Sequence, residues 1–419
     1  MPRDLTIDHI GANGDGIALD EGQTYFVPFS APGDTLTADV GEARGQGYMT
    51  KIQEISVPSP LRVEPECKHF GTCGGCSLQH LEANFIADWK RQRIVDCFSM
   101  SGITGIKIHP TISSPAHSRR RVEFVASKRK KGVMIGYHVR RSHQVFDVGD
   151  CPLIHPSLFA LIKPLRSAFP SLMPRNSSAR ITATATDNGP DVLITAENEL
   201  SLEVRQILAD FAAQNSLARI AWRQKPNDIP EVISAIKPAS VQLGDIPVML
   251  APGGFLQATT AGEEALVAIA TEALQNCSTV VDLFAGCGSF TFPLSRSSKV
   301  HAVEGDEELI SALQRSANKN ILPISTEARD LFRRPLFSTE LKGYDGLLFD
   351  PPRAGAKAQV EEIAESSVAT IVAISCDPVT FSRDISYLVS AGYEVEFIQP
   401  VDQFLWSPHV EMIAVLHKL

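Results

Sequence analysis

The sequence lacks long apolar runs. No stretch approaches the roughly 18 consecutive apolar residues that a membrane-spanning helix requires. The chain starts Met1-Pro2-Arg3-Asp4, without the apolar segment of a secretory signal peptide. Internal repeats and low-complexity tracts are also missing, which excludes repeat architectures. We therefore expect a cytoplasmic globular protein with no membrane partner.

Composition sets limits on the partners of the chain. Its 419 residues, 44% of them apolar and 21% charged, suffice for two or three domains. The net charge of −9 argues against general electrostatic adhesion to nucleic acid. Eight cysteines without a secretory context are poor disulfide candidates. Metal binding or catalysis is therefore the first hypothesis for them.

Positive charge is concentrated in one segment, between His117 and His143. Only one acid, Glu123, lies there. The basic residues of the segment are Arg119, Arg120, Arg121, Lys128, Arg129, Lys130, Lys131, Arg140 and Arg141. A solvated hairpin tip and a phosphate-contacting surface both fit this pattern. The strand-like alternation of the charges with Phe124 and Tyr137 favours the second interpretation.

Turn signals and apolar patterns divide the chain into three parts. Residues 1–57 contain short alternating runs between glycine-rich turns, which predicts a five-stranded OB-like barrel. Residues 58–235 mix strand and helix patterns and predict a central α+β domain. Residues 236–419 alternate strand with helix, the signature of an α/β fold with a doubly wound parallel sheet.

A glycine-containing loop follows the strand Val280–Phe284. The loop reads Ala285-Gly286-Cys287-Gly288, and the next strand ends at Glu304. Glycines let the backbone approach a ligand, and an acid at that position can accept ribose hydroxyls. Asp282 would repel a pyrophosphate but suits an ammonium group, so S-adenosylmethionine fits better than NAD. The alternative is a tight turn with only a packing role.

Two further strand ends carry reactive groups. The apolar run 370–375 leads to Cys376-Asp377-Pro378, and open α/β sheets bind ligands at such strand ends. A buried cysteine can also be a simple packing residue. The strand Leu347–Phe349 leads to Asp350-Pro351-Pro352-Arg353. Amino-group methyltransferases carry an aromatic residue where this chain has Arg353, which argues against an exocyclic nitrogen as acceptor and leaves a ring carbon open.

Six motifs follow one another in order along nearly the whole chain. They are Cys67-x5-Cys73-Gly74-Gly75-Cys76, Gly254-Phe255-Leu256-Gln257, Asp282-Leu283-Phe284-Ala285-Gly286-Cys287-Gly288, Asp350-Pro351-Pro352-Arg353-Ala354-Gly355, Ser375-Cys376-Asp377-Pro378 with Arg383-Asp384, and His409-Val410-Glu411. With these motifs the chain resembles the RNA uracil-5-methyltransferases of the iron–sulfur type, above all the 23S ribosomal RNA enzymes with an N-terminal TRAM domain.

The resemblance implies how a uracil would be methylated. In this family a thiolate adds to C6, C5 of the resulting enolate attacks the methyl group of S-adenosylmethionine, and a base removes the C5 proton. By resemblance Cys376 is the nucleophile, Glu411 is the base and Asp350 holds the uracil edge. The resemblance further implies an RNA partner whose target base is flipped out or lies in a loop. It favours 23S rRNA over tRNA, and a monomer is the default.

The resemblance also implies the residues of the cofactor site. Phe255 and Gln257 are expected where target base and cofactor meet. The expected cofactor-binding residues are Gln257, Asp282, Phe284, Gly286, Ser289, Glu304, Asp330 and Asp350. Before His409, the stretch Leu405-Trp406-Ser407-Pro408 departs from the family's more usual Pro-x-Thr-Gly.

Four cysteines form a candidate metal site. Cys67, Cys73, Cys76 and Cys151 could hold either zinc or a [4Fe-4S] cluster, because both accept four thiolates. The uneven spacing and the pair Cys151-Pro152 favour the cluster, and the resemblance also implies it. Cys97, Cys277 and Cys287 are interpreted as packing residues.

Three other functions compete with this interpretation. Radical enzymes that use the same cofactor carry Cys-x3-Cys-x2-Cys, which the sequence lacks. DNA cytosine methyltransferases place their thiol in a Pro-Cys pair, where this chain has Pro351-Pro352. A non-catalytic RNA-binding or assembly factor would not need Cys376, Asp350 and Glu411.

Overall fold

The computed structural model describes residues 2–130 and 132–419. Lys131, one of the nine cations of the basic segment, lies outside the described residues. The described strands form three large sheets and one separate hairpin. Within these residues, no helix combines the length and apolarity needed to cross a membrane.

The first sheet is built from the N-terminal strands. Its strand order is β1-β5-β6-β4-β3-β2, with β4 parallel to β6 and the other pairs antiparallel. The strands are β1 (Pro2–Thr6), β2 (His9–Ile10), β3 (Gly16–Asp20), β4 (Gln23–Val27), β5 (Thr35–Arg44) and β6 (Gly47–Val57). The sheet has six described strands where five were predicted, because the apolar run over residues 5–10 divides between β1 and β2. A small buried core formed by these strands includes Leu5, Tyr25 and Leu36.

A helix and a short strand link this sheet to the C-terminal part of the chain. They are α1 (Ala83–Met100) and β7 (Ile112–Ser113). Ile94 and Phe98 of α1 belong to the same buried cluster as Ile371 and Leu416. The beginning of the segment 58–235 therefore packs with the last third of the chain.

The second sheet belongs to the middle of the chain. Its strand order is β10-β9-β8-β11-β12-β13-β14, and its core contains Phe124, Phe169 and Trp222. The elements are β8 (Arg121–Arg129), β9 (Gly132–His138), β10 (Val145–Asp147), α2 (Pro156–Phe159), α3 (Ile162–Leu172), β11 (Ser178–Thr186), β12 (Gly189–Thr195), α4 (Leu202–Gln214), β13 (Arg219–Arg223) and β14 (Glu231–Ala235).

The last third of the chain contributes a hairpin and the third sheet, which we call the C-terminal sheet. Its strand order is β19-β18-β17-β20-β21-β23-β22-β7. The elements are β15 (Ser240–Leu243), β16 (Ile246–Met249), α5 (Thr260–Leu274), β17 (Thr279–Leu283), α6 (Thr291–Leu294), β18 (Lys299–Glu304), α7 (Glu307–Lys319), β19 (Ile324–Ala328), β20 (Gly346–Phe349), α8 (Lys357–Ala364), β21 (Thr370–Ser375), α9 (Pro378–Ser390), β22 (Tyr393–Asp402) and β23 (Glu411–Lys418).

The C-terminal sheet is mixed, which corrects the prediction of an all-parallel sheet. The strands from β19 to β21 are parallel, but β23 runs antiparallel to both β21 and β22. A short loop joins β22 to β23, and such a loop allows an antiparallel pair but no parallel crossover. The reversal brings the N-terminal end of β23 to the edge where the parallel strands end.

Candidate functional site

One edge of the C-terminal sheet gathers most of the predicted site residues. Phe284 follows β17, Asp350 follows β20 and Cys376 follows β21, while Glu304 ends β18. Parallel strands end at the same edge, so these side chains come together. Glu411 is the first residue of the antiparallel β23 and reaches the same edge from the opposite direction.

A cavity of about 490 Å³ opens at this edge, and we call it the site cavity. With one exception, every residue predicted to bind uracil or cofactor or to react lines it. Those residues are Phe255, Gln257, Phe284, Gly286, Ser289, Glu304, Asp330, Asp350, Cys376 and Glu411. A single cavity therefore brings together the thiol, the carboxyl groups of Asp350 and Glu411, and the glycine loop.

The reactive end of the site cavity contains three acidic groups. Burial and the nearby carboxylates of Glu411, Asp350 and Asp377 raise the pKa of the Cys376 thiol to about 12. Burial also raises the pKa of Asp350 to about 7, against a hydrogen bond from Gln257 Nε2 to Asp350 Oδ2 of 3.1 Å. The thiol is therefore protonated in the free protein at neutral pH.

Glu411 differs from Asp350 in its hydrogen bonds. Burial, together with the charge of Asp350, raises the pKa of Glu411 to about 8. Its Oε2 atom is buried and has no hydrogen-bond partner among the described residues. A carboxyl with a raised pKa and a free oxygen is suited to accept and release a proton near neutral pH.

The other end of the site cavity is formed by the glycine loop. Glu304 Oε2 accepts the backbone N–H of Gly286 at 2.9 Å, and Glu304 Oε1 accepts that of Asp306 at 2.9 Å. Each oxygen keeps a further lone pair for a ligand hydroxyl. Phe284 has a φ of 62°, a left-handed conformation that is costly for a bulky residue and concentrates at functional turns.

Asp282 is the exception, and its predicted contact with the cofactor is wrong. The side chain is fully buried and does not line the site cavity. Its Oδ2 atom accepts a hydrogen bond of 2.5 Å from Thr291 Oγ1 at the start of α6. Side chains alternate along a strand, and the neighbours Val281 and Leu283 pack on the opposite face. Asp282 therefore joins β17 to α6.

Several lining residues were not predicted. Phe332 is 51% exposed and packs against Phe284, with 5.5 Å between the ring centroids. Asp330 Oδ1 accepts the backbone N–H of Phe332 at 3.0 Å and so orients it. Arg353 also lines the cavity, and its Nε lies 3.0 Å from Asp377 Oδ2. Phe332 was not predicted, because a single phenylalanine in a loop belongs to no helix or strand pattern that would indicate a binding residue.

Much of the basic segment is engaged within the protein. Arg120 is buried and pairs with Glu263 at 2.8 Å, so it is withdrawn from any RNA surface. Arg140 and Arg141 bind the two carboxylate oxygens of Asp15 at 2.5 and 2.8 Å.

Arg129 and Lys130 are exposed at the end of β8. The described part of this segment therefore offers RNA fewer free cations than its sequence suggests.

The four candidate metal ligands line a second cavity of about 340 Å³, which we call the cysteine cavity. Burial raises the pKa of Cys76 to about 12, and the charges of Cys151, Cys73 and Cys67 add to this. No cluster of three or more His, Cys, Asp or Glu side chains able to hold a metal ion occurs among the described residues. The four thiols thus surround a space instead of meeting at one point.

Local backbone geometry brings two of these cysteines together. Gly74 donates its N–H to the carbonyl of His138 at 3.0 Å. A Cβ atom at Gly74 would lie 2.6 Å from that carbonyl oxygen, so the close approach requires glycine. Cys73 and Cys76 flank this contact and both line the cysteine cavity.

Comparisons with known proteins agree on one family. Residues 246–419 match the family model described as tRNA (Uracil-5-)-methyltransferase. An RNA methyltransferase of Mesorhizobium japonicum is 40% identical over 100% of this chain and 98% of the relative. The 23S rRNA (uracil(1939)-C(5))-methyltransferase RlmD of Halomonas elongata is 31% identical over 99% of this chain and 89% of the relative.

A solved structure shares the fold over the full length. It is the tRNA (uracil-54, C5)-methyltransferase of Pyrococcus abyssi in complex with S-adenosyl-L-homocysteine. The match has a TM-score of 0.76 and covers 99% of this chain and 100% of that chain. The sequence identity is 22%, so this likeness bears on the fold.

Proposed function

This chain belongs to the RNA uracil-5-methyltransferase family, and from that premise we propose that it methylates C5 of a uridine in 23S rRNA. S-adenosylmethionine is the methyl donor. The observation that carries the proposal is the convergence of Cys376, Asp350 and Glu411 in one cavity with the glycine loop. A thiol and two acids with raised pKa values provide the nucleophile and proton acceptor that C5 methylation needs.

The proposed reaction begins at Cys376. Its Sγ forms a bond to C6 of the uracil, and the thiol proton passes to the carboxyl pair of Asp350 and Glu411. Gln257 occupies Asp350 Oδ2, which leaves Oδ1 to accept the uracil N3–H. C5 of the resulting enolate then takes the methyl group, and the bond between that methyl group and the sulfonium sulfur of S-adenosylmethionine breaks.

Glu411 completes the proposed reaction. Once Glu411 has given up its proton to solvent, its carboxylate removes the proton from C5, and the bond between Sγ and C6 breaks. The raised pKa of Glu411 suits this role, because the group must bind and release protons near neutral pH. The free Oε2 atom is available for that proton.

The cofactor is proposed to lie at the other end of the same cavity. Glu304 would accept its ribose hydroxyls, since both carboxylate oxygens are held in place by backbone N–H groups. The rings of Phe284 and Phe332 offer an apolar surface for its base. Ser289 and Gly286 line the space between these groups.

The four cysteines are proposed to hold a [4Fe-4S] cluster. Cys67, Cys73, Cys76 and Cys151 surround a cavity of about 340 Å³, which suits a cluster of several atoms better than a single zinc ion. Four thiolates around one cavity also need a compensating positive charge. Methyl transfer moves no electrons, so we assign the cluster a structural role.

The contacts of this cavity support a structural role. Ser77, next to Cys76, donates its backbone N–H to the carbonyl of Trp406 at 2.9 Å, and Leu78 donates to the same oxygen at 3.1 Å. Phe404 lines both the cysteine cavity and the site cavity. The cysteine segment thus supports the loop that leads to Glu411.

The substrate preference rests on the relative from Halomonas elongata, which acts on 23S rRNA by its name. The alternative substrate is tRNA. The test is to incubate the protein with methyl-labelled S-adenosylmethionine and either unmodified 23S rRNA or unmodified tRNA, and to digest the product to nucleosides. Labelled 5-methyluridine from 23S rRNA is the expected result. The label in tRNA alone would select the alternative, and label in any other nucleoside would contradict the proposed reaction.

A further inference from the structure

We infer that Gln403 is a positioning residue that fixes the amide orientation of Gln257 and thereby the contact between Gln257 and Asp350. Gln403 follows β22 and is buried. It does not line the site cavity. The inference rests on the proposed function, in which Asp350 holds the uracil edge.

Three hydrogen bonds connect a backbone group to Asp350. The N–H of Thr259 donates to Gln403 Oε1 at 3.2 Å. Gln403 Nε2 donates to Gln257 Oε1 at 2.8 Å. Gln257 Nε2 then donates to Asp350 Oδ2 at 3.1 Å.

The backbone N–H of Thr259 sets the direction of this chain of hydrogen bonds. A backbone N–H can only donate, so the oxygen of the Gln403 amide must face Thr259. The NH₂ group of Gln403 then faces Gln257, and the oxygen of Gln257 must accept it. The NH₂ group of Gln257 is left to face Asp350. Reversing either amide would oppose two acceptors or two donors.

The position of Gln403 is itself constrained from two sides. Lys90 on α1 is fully buried, and its Nζ lies 2.5 Å from Asp402 Oδ2 and donates to the carbonyl of Phe404 at 3.1 Å. The backbone on both sides of Gln403 is therefore held. On α5, a Cβ atom at Gly262 would lie 2.3 Å from Gln403 Cγ, so the side chain packs where only glycine leaves room.

The charges around Asp350 explain why this orientation matters. The titratable groups that act on or are acted on by Asp350 are Glu411 on β23, Cys376 after β21 and Asp282 on β17, and all of them are acids. Gln257 is the side chain that donates to Asp350 among the described residues. Held in place by Gln403, it favours ionised Asp350, the form that can accept the uracil N3–H.

The test uses full-length protein and RNA transcripts labelled with tritium at C5 of uridine. Gln403→Glu keeps an acceptor for Thr259 but offers Gln257 a second acceptor, so the NH₂ of Gln257 turns away from Asp350. Gln403→Leu removes the contact without reversing it. Gln399→Leu is the matched control, because Gln399 is buried on β22 and donates to the carbonyls of Pro110 and Pro400. Urea unfolding verifies that each variant is folded.

We expect Gln403→Glu to lower kcat/KM at least about tenfold, the size of a lost or reversed buried hydrogen bond. The rise of kcat/KM with pH should also move to higher pH, while Gln399→Leu leaves that profile in place. When Gln257→Leu is already present, adding Gln403→Leu should lower kcat/KM by less than about twofold, because both changes break the same series of hydrogen bonds.

Two results would overturn the inference while wild-type protein releases tritium. One is a Gln403→Glu variant with wild-type kcat/KM and an unshifted pH profile. The other is that Gln403→Leu lowers kcat/KM in the Gln257→Leu variant by the same factor as in the wild-type protein. Wild-type protein that releases no tritium contradicts the proposed function, and the inference falls with it.

Discussion

Cys376 and Glu411 meet at one edge of the C-terminal sheet because their neighbours Ser375 and Met412 are paired in antiparallel register. The thiol follows the end of β21, and the carboxyl begins β23. A parallel β23 would have carried Glu411 to the opposite edge of the sheet. The reversal of one strand therefore places nucleophile and base in the same cavity.

Replacing the proposed base should trap the reaction halfway. In Glu411→Gln the thiol can still add to C6 and C5 can still be methylated, but the C5 proton is not removed. We expect a covalent protein–RNA complex that survives denaturing electrophoresis, together with a loss of turnover. The exposed Glu394 on β22 supplies the control, since Glu394→Gln should turn over normally without a trapped complex. Normal turnover by Glu411→Gln would remove Glu411 from the base role.

The stability of the protein should fall as pH rises through the neutral range. Burial raises the folded-state pKa values of Asp350 to about 7 and Glu411 to about 8. The unfolded chain releases these protons at lower pH than the folded protein does. The two groups therefore leave the free energy of unfolding unchanged below the pKa values of the unfolded chain, and they lower it as the pH rises from those values to the folded-state values. Each such group lowers the free energy of unfolding by at most about 1.4 kcal/mol per pH unit.

Urea unfolding at pH 6 and pH 8 measures this effect. We expect the free energy of unfolding of the wild type to fall between the two pH values, and that of Glu411→Gln to fall less. Glu394→Gln should behave as the wild type. An equal decline in all three proteins would show that Glu411 keeps its ordinary pKa in the fold.

Phe332 should contribute to cofactor binding. Its ring is 51% exposed, packs against Phe284 and lines the site cavity. Stacking of an aromatic base on such a ring is worth about 1–3 kcal/mol, so Phe332→Ala should raise the KM for S-adenosylmethionine about tenfold or more. Phe337 is 54% exposed and lies outside the cavity, so Phe337→Ala is the control. Equal KM values in the two variants would exclude Phe332 from the cofactor site.

The cysteine cavity should make the anaerobically purified protein brown. We expect broad visible absorption in the wild type and its loss in Cys73→Ser, because one of four thiolate ligands is removed. Cys97 lies on α1 outside the cavity, so Cys97→Ser should keep the colour. A colourless protein that contains zinc, expressed without iron limitation, would replace the cluster by a zinc site.

The sequence was most reliable where a local pattern determines the structure. The strands that end at Glu304 and at Phe349 were predicted with their observed C-terminal ends. Strand ends followed by polar residues located Asp350 and Cys376 at the edge of the sheet. Each of these patterns spans only a few neighbouring residues, so it can be recognised in a single sequence.

The remaining features depend on which distant segments pack together. The antiparallel direction of β23 follows from the loop after Asp402. The burial of Arg120 depends on Glu263, and the position of Asp282 depends on Thr291. None of these partners can be read from local pattern. The same reason kept Gln403 hidden, because its role depends on Thr259 and Gln257.

Release of tritium from C5-labelled uridine in RNA tests the central claim most directly. The account predicts cofactor-dependent release by the wild type, none by Cys376→Ala, and normal release by Cys277→Ala, whose thiol is buried outside the site cavity. Release by Cys376→Ala at the wild-type rate, or no release by wild-type protein supplied with cofactor and unmodified 23S rRNA and tRNA, would contradict it.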